Sequence, residues 1–155
     1  MASATTSRGE IDAPLAVMQD TGTKVIMTIM VPGMKKRGGL LLTLKRWLHI
    51  KSKDPFALAS NVKFGQYSLT EQSMSLLMEV YRDKSAMSKR SEDCKRFVVS
   101  IGRFPTQINP NSVGYNIQQR GDNSYIVMTI CKVDNFSTNW KDFLSVNGTL
   151  DLATL

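Results

Sequence analysis

Short apolar runs follow one another along this chain, and turn-forming residues separate them. The run KVIMTIMV from Lys24 to Val31 has two β-branched pairs and a threonine and stops at Pro32-Gly33, which predicts a strand. The next stretch changes period. Leu40, Leu41, Leu44, Trp47 and Leu48 fall at helical spacing between Gly38-Gly39 and the Ser52 to Pro55 stretch, predicting an amphipathic helix. VKFGQYSL and KRFVVSIGRF then read as strands, with SMSLLMEVYRD between them. Residues 73–83 fit two patterns: Met74, Leu77, Met78 and Tyr81 suit a helix capped near Thr70, whereas Met74, Leu76, Met78 and Val80 alternate as a strand would.

The segment KSAMSKRSEDCK, from Lys84 to Lys95, is polar, serine-rich and mixed in charge, as an exposed loop would be. SVGYNIQQ and SYIVMTICKV flank a turn at Arg120 to Asn123 and predict an antiparallel hairpin. A short helix around Asn139 to Leu144 and a last strand around Gly148 to Leu155 complete the pattern. Residues 1–23, rich in Ala, Ser and Thr, show no sustained period and read as a mobile arm with one short ordered piece at Leu15 to Met18. The expected architecture is α+β: the arm, then one domain over residues 24–155, with an antiparallel or mixed sheet of five to seven strands and two or three helices.

A chain of 155 residues suits a single domain able to bury a core unaided. Cys94 and Cys131 have neither metal-ligand spacing nor a histidine motif beside them, so neither a metal site nor a disulfide framework is expected. The longest apolar runs fall short of the roughly 20 residues that span a bilayer. The first 22 residues lack the apolar core of a secretion signal, so the cytoplasm or nucleus is the expected location.

Charge distribution narrows the function. Residues 1–34, 35–103 and 104–155 carry net charges of −1, +9 and −1, so the central segment holds the whole excess. Between Lys35 and Lys53 there is no acidic residue before Asp54. Such a segment suits a surface facing the phosphates of nucleic acid or anionic lipid. The expected contact residues are Lys35, Lys36, Arg37, Lys45, Arg46, Lys51, Lys53, Lys89, Arg90, Lys95 and Arg96.

Catalytic machinery is not visible. His49 is the one histidine, it lies in the basic stretch, and the chain has no nucleophile elbow, zinc motif, phosphate loop or dinucleotide fingerprint. The sequence thus reads as a non-enzymatic binding protein with no cofactor, metal or small-molecule substrate. Arg120-Gly121-Asp122 is read as a turn, and the sequons at Asn135 and Asn147 are given no role. Trp47, Phe64, Tyr67, Tyr81, Phe97 and Phe104 are the aromatics available for base stacking, but no motif for specific RNA reading accompanies them. In the arm, Leu15, Val17 and Met18 form an apolar segment suited to docking into a neighbour's groove, which gives homo-oligomers or polymers.

Taken in order, the arm, the strand KVIMTIMV, the helix LLLTLKRWLHI, the mixed sheet and the basic face resemble a small matrix protein of a negative-strand RNA virus, of the rhabdovirus kind. The chain has no PPxY- or PTAP-type motif, which points to the plant or invertebrate type. The resemblance implies a viral structural protein that self-associates and bridges nucleocapsid or RNA to the anionic inner face of a membrane, in the virion and in host cytoplasm or nucleus. The alternative sharing the same basic segment is a viral RNA-binding regulator, such as a silencing suppressor or movement accessory.

Overall fold

Alternation of apolar and polar residues dominates the chain, and in the computed structural model that alternation is expressed almost entirely as strands. The structure describes residues 9–35, 59–89, 93–120 and 123–143. Among the described residues, eight strands form two four-stranded sheets: β1 (Glu10–Asp12), β2 (Leu15–Asp20), β3 (Lys24–Met30), β4 (Val62–Leu69), β5 (Met74–Val80), β6 (Lys95–Ile101), β7 (Ile108–Arg120) and β8 (Asn123–Lys132). The first sheet has the order β1-β6-β5-β4 and the second β2-β3-β8-β7. The β1–β6 pair is parallel and every other pair antiparallel.

The α+β expectation is therefore wrong. Among the described residues, helix is confined to α1 (Lys84–Ser88) and a 3-10 turn at Trp140–Phe143, and the fold is a β-sandwich. The predicted helix over residues 40–50 lies outside the described residues, as does the last predicted strand. Residues 73–83 resolve to the strand β5, whose buried and half-buried positions alternate strictly from Met74 to Val80.

Within the expected mobile arm, Glu10–Asp12 and Leu15–Asp20 are strands of the sandwich. Glu10–Asp12 joins the first sheet beside β6, Leu15–Asp20 joins the second beside β3, and Ala13-Pro14 carries the chain across. Leu15 and Val17 are buried in the core between the sheets, so of the three proposed docking residues Met18 alone faces outward, 36% exposed at a bulge in β2. These strands hold few large side chains, and β1 finds its partner only in the distant β6.

The core is one cluster drawn from both sheets, with Met27, Met78, Ile108, Met128 and Ile130 almost wholly enclosed. On one flank, Tyr67 of β4 and Tyr115 of β7 close the gap between the sheets, edge to face at 6.2 Å with their hydroxyls in contact. The β1–β2 crossover closes the other flank.

Outer strands of such a sheet expose unpaired backbone groups, a liability that bulges and short lengths reduce. β1 is three residues long, and β2, β4 and β7 each carry a register break. In β4 the break places Gln66 in the left-handed region at φ 48°.

Candidate functional site

Register places the ends of β3 and β5 and the starts of β4 and β6 at one end of the sandwich. Asn61 ties these segments together. Fully buried, it accepts from the Lys35 backbone N–H through Oδ1 at 2.7 Å and donates through Nδ2 to the carbonyls of Gly33 (2.8 Å) and Tyr81 (2.7 Å). The Ser60 N–H donates to the Lys35 carbonyl at 3.0 Å, so the chain leaves at Lys35 and re-enters at Ala59 at nearly one point. Segment 36–58, with most of the predicted cations, is therefore anchored at this end at both of its limits.

Exposed cations surround that anchor. Lys35, Arg82, Lys84, Lys89 and Lys95 are all exposed at this end. Arg82-Asp83-Lys84 follows β5 directly, and Asp83 caps α1 by accepting from the Ala86 N–H at 2.7 Å. That bond, with the charges of Arg82 and Lys35 nearby, holds the exposed Asp83 carboxyl below its ordinary range.

Arg96 plays a different part from the one expected of it. Cross-strand pairing lines up Lys63, Glu79, Arg96 and Glu10 on the outer face of the first sheet, alternating in sign across all four strands. The Arg96 Nε lies 3.7 Å from Glu79 Oε2. Opposite charges directly across a sheet stabilise the pairing, so Arg96 is half-buried in a ladder, while Lys95, in register with Val80, is exposed as the first residue of β6.

Lys35, Lys89, Lys95 and Arg96 are thus brought to one end, whereas Lys36, Arg37, Lys45, Arg46, Lys51, Lys53 and Arg90 lie outside the described residues. Sequence reasoning missed Arg82 and Lys84. Their signal was present: two cations within the three residues after Tyr81, where the apolar alternation stops. It also overrated the aromatics, since Tyr81, Phe97 and Phe104 are buried and unavailable for stacking on bases.

Beside the basic end, Cys94 donates to Glu79 Oε2 at 3.6 Å, and the Tyr81 hydroxyl donates to the same oxygen at 3.2 Å. Burial, and then the Glu79 charge, push the Cys94 thiol up, away from the thiolate that nucleophilic chemistry needs.

The opposite end is built around a buried ion pair. Lys132 Nζ lies 2.8 Å from Asp20 Oδ1, and their side chains are 0% and 4% exposed. Lys132 also donates to the Thr138 carbonyl, and Asp20 accepts from the backbone N–H groups of Gly22 and Trp140. Burial alone would raise the Asp20 carboxyl, but the hydrogen bonds from Lys132, Trp140 and Gly22 and the ammonium charge outweigh it and hold it below the ordinary value. The pair thereby pins the chain after β8, and Trp140 stacks on Phe104 at 5.2 Å with its Nε1 donating to Thr106.

The chain matches no known family model and no curated protein. Among solved structures it is similar to heat shock protein 16.0 from Schizosaccharomyces pombe, with a TM-score of 0.46 and 14% identity over 85% of this chain and 74% of that one. A likeness at this level identifies neither a family nor an activity.

Proposed function

We propose that this chain is a non-enzymatic structural protein of matrix type that docks the basic end of its sandwich on polyanionic surfaces, both nucleocapsid RNA and anionic membrane. The observation that carries the reading is the convergence of Lys35, Arg82, Lys84, Lys89 and Lys95 with the two anchored limits of the basic segment 36–58. Near an anionic membrane each such cation contributes about 1 kcal/mol before screening. Five acting together give a useful affinity without any pocket.

Self-association belongs to the same reading, with a different surface from the one expected. With Leu15 and Val17 enclosed, the apolar side chains left on the β1–β2 flank are Ile11 and Met18, 40% and 36% exposed. A second copy meeting this flank would bury both.

Competition distinguishes this function from its alternative. Binding to short RNA duplexes, RNA single strands, and neutral or phosphatidylserine vesicles is measured at two salt concentrations. Matrix-type behaviour predicts binding to single strands and to anionic vesicles, both weakened by salt. Length-selective duplex binding with no preference for anionic vesicles would replace it with the RNA-binding regulator. Salt dependence alone does not separate the two, because both partners are polyanions.

A further inference from the structure

Two serine hydroxyls stand among the cations of the basic end, and they are not equivalent. Ser85 and Ser88 both lie in α1 and both are exposed. The Ser88 hydroxyl donates to the Lys84 carbonyl at 3.0 Å. Ser85 Oγ makes no hydrogen bond among the described residues. An arginine also precedes Ser85 by three positions, in Arg82-Asp83-Lys84-Ser85. The same spacing recurs in Arg103-Phe104-Pro105-Thr106. There, however, Thr106 is 4% exposed and its hydroxyl accepts from Trp140 Nε1 at 3.1 Å. Of the two hydroxyls, Ser85 alone is open to an enzyme.

Local structure lets the segment around Ser85 leave its helix. α1 is five residues long and buries no side chain. It is held by the Met87 N–H on the Asp83 carbonyl, the Lys89 N–H on the Ser85 carbonyl, and the Asp83 cap. Isolated helices shorter than about 12–15 residues are marginal in water, so unwinding this one costs little and uncovers no core. Arg82 is lightly held as well. Its side chain is 86% exposed with Nε 3.5 Å from Asp83 Oδ2, an exposed pair of little strength. An extended Arg82–Ser85 segment therefore suits the cleft of a kinase whose acidic groups select cations ahead of the acceptor hydroxyl.

We propose that Ser85 is a phosphorylation site for a serine kinase selective for basic sequences, and that its phosphate weakens docking at the basic end. In the transfer, Ser85 Oγ bonds to the γ-phosphorus of Mg-ATP and the bond from that phosphorus to the β–γ bridging oxygen breaks. ADP leaves with the electron pair, and the hydroxyl proton passes to the kinase's catalytic aspartate. The product carries about −1.5 to −2 charges at pH 7, enough to offset up to two of the cations Lys35, Arg82, Lys84, Lys89 and Lys95. Lys89 lies four residues on, one helical turn from Ser85, so it can pair with the phosphate instead of an external polyanion. The effect on docking rests on the proposed function; the site itself does not.

The test uses the full chain, the catalytic subunit of cyclic-AMP-dependent protein kinase and Mg-ATP, with phosphate counted by intact mass and placed by tandem mass spectrometry. Ser85 should fill first, in wild type and in Ser88→Ala alike. Arg82→Ala should slow its filling at least about ten-fold, through loss of a charge pair in the kinase cleft. Phosphate on other hydroxyls with Ser85 bare, or equal rates with and without Arg82, would overturn the site. Flotation with phosphatidylserine vesicles at low salt then reads the effect. The Ser85 phosphoprotein should bind about ten- to thirty-fold more weakly than the unmodified chain and recover on phosphatase treatment, whereas kinase-treated Ser85→Ala should bind as the unmodified chain does. Full occupancy of Ser85 with unchanged flotation overturns the regulation. An unmodified chain that does not float refutes the docking reading and the effect with it, while the mapped phosphate still decides the site.

Discussion

Asp20→Ala is the substitution that most directly probes how the sandwich holds its C-terminal chain. It removes the partner of an ammonium whose side chain is fully enclosed, together with the acceptor for the Gly22 and Trp140 N–H groups. Leaving one charge of a buried pair uncompensated costs about 3–5 kcal/mol, a large share of a stability that is commonly about 5–15 kcal/mol. Lys132→Met is milder at about 1.5–3 kcal/mol, because the carboxylate keeps both backbone donors. In the double variant no lone charge remains, so it should be more stable than the sum of the single losses predicts by at least about 1 kcal/mol. Urea unfolding followed by circular dichroism supplies all four corners of the cycle. Acid gives an independent check: since the folded carboxyl lies below its unfolded value of 3.8, its stabilisation is complete above that value and is lost as pH falls through the folded one. The gap between wild type and Asp20→Ala should therefore narrow below pH 3.8. Additive single losses, or a pH-independent gap, would refute the reasoning.

Other consequences follow from the same structure. Trp140→Ala empties a wholly buried site stacked on Phe104 and should cost about 3–5 kcal/mol, read from the unfolding midpoint. Asn61→Ala leaves three backbone groups without their buried partner, at about 1–3 kcal/mol for each group that water does not reach; amide exchange at Lys35 should quicken. Glu79→Gln, made with Cys131→Ser, should lower the Cys94 pKa and speed its alkylation at pH 8, since the Glu79 charge helps hold that thiol up. Deleting residues 1–22 should unfold the chain, because β1 and β2 build the core, whereas Ile11→Lys with Met18→Lys should keep the fold and weaken oligomers in sedimentation.

Much of the sandwich was legible in the alternation of side chains. β3, β4, β6 and the β7–β8 hairpin are each a run whose apolar positions repeat every second residue, and β5 is the more regular of its two readings. What misled was weight: the one helical stripe, at residues 40–50, set the fold class for the whole chain. β1 was not legible because its order comes from pairing with the distant β6, and β2, which forms a hairpin with the neighbouring β3, was legible only as a short ordered piece because LAVMQD alternates weakly. For the site, net charge located the basic region, but only strand register separates Lys95, exposed at the start of β6 opposite Val80, from Arg96, which faces Glu79. Asn61 was invisible because nothing local marks an asparagine that joins Gly33, Lys35 and Tyr81.

The central claim is that polyanions dock at one end of the sandwich, and charge reversal at each end tests it under matched net charge. Lys35→Glu, Arg82→Glu and Lys84→Glu together change the basic end; Lys24→Glu, Arg103→Glu and Lys141→Glu, all exposed, make the same change at the other. Flotation with phosphatidylserine vesicles at low salt should be abolished by the first set and nearly retained by the second. Equal loss from both sets would show that net charge alone drives binding, and retention by the first set would contradict the account outright.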